Sequence, residues 1–487
     1  MKGQKNSFDP EKKHDAARRK FLGALSLGSV LALLGNAGPE IGTAAGRPTE
    51  NAAADWKGGV GRRVITPQNG VWLAGFGTKR VPGGKLHDIW VKVLALQDKS
   101  GKKAVLVTSD NQGMSRTIYE SLYKKVNENF GLDRSEFMLT FSHNHSGPCL
   151  TDDLVDYYPS DDDQREQVRA YTDWMESQVV EAVGEALKTM QSAEIHFSKG
   201  QCTFAVNRRE NKEAEVPQLI AEGKLKGVVD HDVPVLSVKG KKGKKLLAVL
   251  FGYACHPTTL AGNEWSGDYP GFAQANLEAT YPGTSAMFFN TCGGDQNPLP
   301  RRTLELCKKY GEMLSAAVKD VLGKPMKLLS KGLKTDFSFV NIDYEEVATR
   351  EKLLPIASGT NPIHARWAKR MLAKLEDGEV FPTFYPYPVQ AWQLGKELLL
   401  IGIGGEAVVD YSLRFKKEFG EAATWVSGYT NDMVAYIPSR RVWEEGGYEG
   451  GSHLDEYGRP AWRWAGDIED RIAGEVQKLV SNVRSGK

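Results

Sequence analysis

The chain has 487 residues, 41% hydrophobic and 25% charged, enough to bury a large core in one large domain or two to three smaller ones. Its formal net charge of +2 argues against a nucleic-acid partner. Five cysteines, an odd count without a C-x-x-C pair, argue against a disulfide scaffold and against thiolate metal ligation, though one bridge stays open in an exported protein.

The N-terminus reads as a targeting segment. Arg18-Arg19-Lys20-Phe21-Leu22-Gly23 has the twin-arginine form, and the apolar stretch Ala24 to Leu34 follows it. That stretch is short for a membrane span, and small residues near Ala37 or Ala44-Ala45 offer a cleavage region. Residues 1–55 are therefore expected to be a leader, and residues 56–487 one exported domain, periplasmic or secreted, with no transmembrane segment after cleavage.

Several apolar runs follow, each ending in a polar cluster. Ala104 to Ser109 ends in Asp110, and Phe137 to Phe141 ends in His143 and His145. Leu246 to Cys255 ends in His256, and Ala286 to Asn290 ends in Gly293-Gly294-Asp295. Leu398 to Gly405 ends in Glu406, and Thr424 to Gly428 ends in Thr430-Asn431-Asp432. Such near-continuous runs read as strands buried on both faces, with ligands gathering on the loops after them. Helical spacing covers 118–129, 167–190, 302–322, 363–375 and 406–419. The alternation predicts an α/β (α+β) layered β-sheet core flanked by helices. Residues 327–344 are expected to begin a second lobe of the same unit, and the lysines of 239–245 to cap a solvated hairpin.

His143 and His145 project to one side if the strand continues through them. Together with His256 and Glu406 they offer enough nitrogen and oxygen donors for a zinc site, where three protein ligands leave a position open for water. Asp295, in a glycine-rich turn, is a candidate for orienting a histidine or acting as a base. The chain lacks H-E-x-x-H, G-x-S-x-G and the phosphate-binding glycine motifs at usable positions, so ordinary zincin, serine-hydrolase and nucleotide readings lose their main support.

At these residues the chain resembles the neutral/alkaline, non-lysosomal ceramidase family. Ser142-His143-Asn144-His145-Ser146-Gly147-Pro148 resembles the family's T-H-T-H-S-G-P, and Asn207-Arg208 its N-R pair. His256, Ser266-Gly267-Asp268, Asn290 to Pro298, Gly405-Glu406 and Asn431 to Pro438 match further motifs in the same order. The resemblance implies a single catalytic domain hydrolysing the amide of N-acylsphingosines. It implies Zn²⁺ held by His143, His256, Glu406 and Tyr436, with His145 and Arg208 beside the substrate carbonyl and metal-bound water; in the mechanism expected from this set, His145, with Asp295 or Asp268, handles protons. The implied partner is a small-molecule N-acyl amide, a lipid or an acylated glycan.

Two departures stand out. Where the family carries a serine with an assigned catalytic role, this chain has Gln296-Asn297, so a zinc-activated water survives but a serine acyl-enzyme does not. The family's C-terminal immunoglobulin-like domain is expected to have no counterpart. A glycan deacylase or glycosidic-bond hydrolase, with Trp392, Trp443, Trp462 and Trp464 as sugar-subsite candidates, and a non-catalytic exported binding protein are the alternatives.

Overall fold

Side chains along the central strands alternate between two buried faces, and this explains the layering. In the strand Trp90–Asp98, Val91, Val93 and Ala95 pack with the helices Arg116–Phe130 and Asp162–Lys188. Leu94 and Leu96 face the other way, into a cluster with Trp392, Leu400 and Trp425 of a second sheet. A period of two thus gives each strand a helix-facing and a sheet-facing set, both apolar. The structure is a computed structural model and describes residues 56–68, 70–240, 245–451 and 453–485. The expected leader and the tip of the lysine-rich hairpin lie outside the described residues.

The large sheet runs, neighbour to neighbour, through Ser285–Phe288, Leu246–Phe251, Asp232–Gly240, Gln191–Gln201, Trp56–Val64, Trp90–Asp98, Lys103–Ser109 and Phe137–Phe141, with Lys327–Leu328 added beside Gln191–Gln201. Its centre is antiparallel. Its two ends are parallel pairs. The second sheet joins Leu333–Asp343, Phe384–Leu394, Leu398–Ile403 and Thr424–Ser427, the last pair parallel. Helices Asp268–Thr280 and Leu304–Leu322 cover the large sheet, and Val409–Phe419 and Ile468–Ser485 cover the second. Helices, sheet, sheet and helices therefore stack as four layers, the predicted α/β core in two-sheet form.

Of the tract expected to begin a second lobe, Lys327–Leu328 joins the large sheet and Leu333–Asp343 begins the second sheet, which packs face to face on the first rather than apart from it. The expected helix at 406–419 starts at Val409, because Glu406–Ala407 pairs in parallel with Tyr436–Ile437. All five cysteines are free and buried, so no bridge forms among them. No described helix is long and apolar enough to cross a membrane. After Ile437 the described residues form helices and loops, with no immunoglobulin-like sheet among them.

Candidate metal centre

The carboxyl ends of the parallel strands converge, and the loops after them carry the site, as in other open sheets. The strand Phe137–Phe141 stops before the histidine pair. His143 takes a positive φ of 64°, and the Asn144 side chain accepts the Ser146 N–H at 2.9 Å. A turn, not a continued pleat, therefore brings the two rings together, with Nε2 of His145 3.3 Å from Nε2 of His143. That corrects the strand geometry expected for the pair.

His143, His256 and Glu406 form one buried cluster whose donor atoms lie within 4.8 Å of one another. Glu406 Oε2 is 3.1 Å from His143 Nε2 and 2.8 Å from His256 Nε2. Their tautomers follow from the far side of each ring. His143 Nδ1 lies 2.7 Å from the Gln112 carbonyl, and His256 Nδ1 lies 2.6 Å from the Gly293 carbonyl. A carbonyl only accepts, so both Nδ1 atoms carry the proton and both Nε2 atoms present lone pairs. Two lone pairs then face a carboxylate in a buried site, an arrangement that calls for a cation between them. Histidine ligands anchored through Nδ1 to backbone carbonyls are the usual support of a bound metal, so the donor set fits one.

Burial, then Arg208, drives His256 down to about 4. His145 lies well below its usual value, by burial first and then by the two neighbouring histidines. The imidazole of His145 is thus neutral near pH 7, and its buried Nδ1 has no partner.

Tyr436 reaches the cluster by backbone pairing. The two-residue parallel bridge sets Glu406 directly against Tyr436, and Gly405 makes this possible. Gly405 has φ +67°, and a Cβ there would stand 2.4 Å from the Ala435 carbonyl oxygen. The Tyr436 hydroxyl lies 3.4 Å from His256 Nε2 and accepts from Arg208 at 3.0 Å. Burial raises the phenol well above its range, while Arg208 favours the phenolate.

Arg208 is carried by the short pairing of Ala205–Asn207 with Gln296–Pro298. Its guanidinium donates to Glu449 at 2.7 Å, to Asn297 at 3.3 Å and to Tyr436. A guanidinium has five N–H donors, so two remain for a ligand. Asn297 thus helps to orient Arg208.

The other two predicted carboxylates lie behind the site. Asp295 is fully buried, accepts from the Val409 N–H at 2.9 Å and from Asn207 at 3.4 Å, and so ties the Glu406 segment to the Arg208 segment. Asp268, the first residue of its helix, accepts from the Leu260 N–H of the preceding loop at 2.8 Å and from the Tyr269 N–H at 2.7 Å; it does not line the cavity at the histidines. Trp392 and Trp464 are core residues, Trp443 stacks on Arg463, and Trp462 packs on Trp367. None of the four lines that cavity, which gives the sugar-subsite reading no support.

Sequence reasoning missed Tyr457, whose hydroxyl donates to Glu406 Oε1, and Glu449, which anchors Arg208. Both sit in a loop-rich tract, 446–464, without periodicity. Its clustered aromatic and histidine residues were the one available signal.

The cavity at the centre is about 190 Å³ and takes in His145, Arg208, His256, Glu406, Tyr436 and Tyr457. A larger charged cleft of about 520 Å³ shares Arg208, Arg301 and Tyr448 with it.

The family model for the N-terminal part of the neutral/alkaline non-lysosomal ceramidases matches residues 56–298. The neutral ceramidase of Mycobacterium tuberculosis is 23% identical in an alignment 428 positions long that covers 72% of this chain and 66% of that protein. The crystal structure of neutral ceramidase from Pseudomonas aeruginosa matches with a TM-score of 0.68 at 17% identity, over 88% of this chain and 75% of that one. A ceramidase complexed with C2 matches with the same TM-score and coverage at 16% identity. At these identities the two structures establish likeness of fold.

Proposed function

The chain belongs to the neutral/alkaline non-lysosomal ceramidase family, and from that premise we propose that it is an exported zinc-dependent amidohydrolase acting on an N-acyl amide, ceramide-like bond. The observation that carries the reading is the pair of histidines with Nδ1 committed to carbonyls and Nε2 turned on Glu406. His143, His256 and Glu406 would hold the ion, with Tyr436 as the fourth candidate ligand. When bound, zinc supplies a water that ionises near neutral pH and a Lewis acid for a carbonyl oxygen.

The protein's own groups do the rest. Arg208 offers its two spare N–H donors to the oxygen that gains charge as the amide carbon becomes tetrahedral. Its charge is secured by Glu449, so it stays in place before and after reaction. His145 is neutral and wall-forming, and is suited to take a proton from water and return it to the leaving amine. Asn297 is no nucleophile, so the carbon is attacked by water and no acyl-enzyme forms. Export rests on the twin-arginine pattern at Arg18-Arg19.

The test is metal analysis of purified protein followed by hydrolysis of short-chain N-acyl amides, N-acetylsphingosine among them. One zinc per chain, with turnover abolished by a chelator and restored by zinc, is expected. Absence of stoichiometric zinc, with His143→Ala and His256→Ala leaving turnover intact, would overturn the reading.

A further inference from the structure

The walls around the metal cluster are poorly suited to long alkyl chains. Leu154 is the one aliphatic side chain among the described residues lining the central cavity, and Leu299 the one in the adjoining cleft. The remaining lining is mostly charged or aromatic, and burying a methylene against ionised groups forgoes the transfer energy that makes lipid pockets bind.

The charges are also unevenly matched. Arg208 and Arg209 pair with Glu449, and Arg301 pairs with Glu213 at 2.8 Å. Arg302, next in the chain, has no such partner. Among the described residues its guanidinium, on an exposed side chain, makes no hydrogen bond or ion pair; the Phe76 ring lies 5.6 Å from the guanidinium carbon, and Glu213 and Asp268 act on it only through their fields. It sits on the cavity wall in a left-handed backbone conformation, φ +88°, which a non-glycine residue adopts at a cost of about 1 kcal/mol or more. Burial, then Arg301, lowers its pKa against the opposing pull of Glu213 and Asp268.

A second cation stands behind the same ring. Arg80 is 6% exposed and its guanidinium lies 4.6 Å from the Phe76 centroid. It donates to carbonyls of Ala74, His145 and Gly262, its buried Nε is unpartnered, and it pairs with no carboxylate among the described residues. The Phe76 side of the cavity therefore holds two arginines that no carboxylate meets in an ion pair, while Glu456, on the wall of the same cavity, accepts from the Tyr448 hydroxyl and is pushed upward by burial.

We propose that the substrate is an N-acyl amide carrying an anionic group, a carboxylate or a phosphate, which Arg302 binds at the Phe76 rim of the metal cavity. The assignment rests on the amidohydrolase reading and narrows its substrate from a neutral two-chain lipid to an anionic acyl compound. Arg302 supplies a bidentate fork matched to either anion, and Arg80 supports it by field alone. The reaction itself needs only water: the C–N bond breaks, water supplies hydroxyl to the acyl carbon and a proton to nitrogen, and a carboxylic acid and an amine leave.

The probes are two matched pairs differing in charge: N-hexanoylglycine against N-hexanoylglycinamide, and N-hexanoylphosphoethanolamine against N-hexanoylethanolamine. Hexanoate release gives kcat/KM for each with the zinc-loaded full chain, and calorimetry gives binding. The anionic member of at least one pair should be preferred about tenfold or more, and the favoured pair tells carboxylate from phosphate. Arg302→Ala should erase that ratio, Arg302→Glu should invert it, and Arg302→Lys should keep part of it. Equal use of both members of each pair, or a preference that survives Arg302→Ala in folded protein, would overturn the proposal. If no amide is cut, the amidohydrolase reading fails, and the same charge ratio read in calorimetric binding still decides for or against Arg302.

Discussion

Replacing Tyr457 by Phe tests how Glu406 is held. Glu406 is buried, its Oε2 faces both histidines and its Oε1 accepts from the Tyr457 hydroxyl. The phenol is pushed well above its ordinary range, by burial first and then by Glu406, so it remains a donor throughout the working pH range. Phenylalanine keeps the ring, which meets Tyr436 edge-on at 6.2 Å and His453 at 6.3 Å, so packing survives and only the donor is lost. A hydrogen bond to a charged group is worth about 1.5–3 kcal/mol, and its loss leaves a buried carboxylate oxygen unpaired. At about 1.4 kcal/mol per decade this predicts zinc affinity weakened about 10- to 100-fold, the range expected when a group that orients a metal ligand is removed. Competition against a chelating dye measures the affinity, and kcat at saturating zinc should fall less than affinity does. Zinc affinity within about twofold of wild type in a folded variant would refute the argument. Intact affinity with a collapsed kcat would move Tyr457 from orienting Glu406 to contacting substrate.

Three further outcomes follow from the same geometry. Arg208→Lys loses the fork that spans Glu449, Asn297 and Tyr436, so kcat should fall about 100-fold or more in steady-state assays while zinc content holds. Gly75→Ala places a Cβ 2.4 Å from the His145 ring at φ +99°; it should lower kcat by displacing that ring and leave metal analysis unchanged. Burial raises Asp295 to about 6 from an ordinary 3.8, so the unfolded chain loses this proton first. Native stability then falls as pH rises from about 4 to about 6, by about 3 kcal/mol in all. Asp295→Asn lacks this loss, so urea melts should show it gaining on wild type across that window; a pH-independent difference would contradict the assignment.

Much of this architecture was legible residue by residue. The apolar runs ending at Asp110, His143, His256 and Glu406 are strands or lead directly from strands, because burial on both faces leaves a continuous apolar signal. Helix spacing placed Arg116–Phe130 and Leu304–Leu322 within a few residues. The helix expected from Glu406 began three residues late, since a two-residue bridge to Tyr436 has no period to detect. Asp268 looked like a site residue because it stands beside Ser266-Gly267, yet its oxygens are spent on the backbone N–H groups of Leu260, in the preceding loop, and of Tyr269. Tyr457 and Glu449 went unseen, because the loop carrying them is positioned by contacts rather than by pattern.

By itself, then, the sequence determined the layered α/β class, the strand-end placement of the histidines and the glycine-led approach to Glu406, all of which follow from local periodicity and backbone freedom. Only the tertiary structure decided which groups face each other: Glu406 against Tyr436, Nδ1 atoms against carbonyls, Arg208 with two donors to spare, Arg302 beside Phe76 without a direct ion pair. Those facts depend on loops far apart in the chain, brought together by the ends of two stacked sheets. No local period encodes such pairings, because they are settled by packing and by the charges left over once the core has formed.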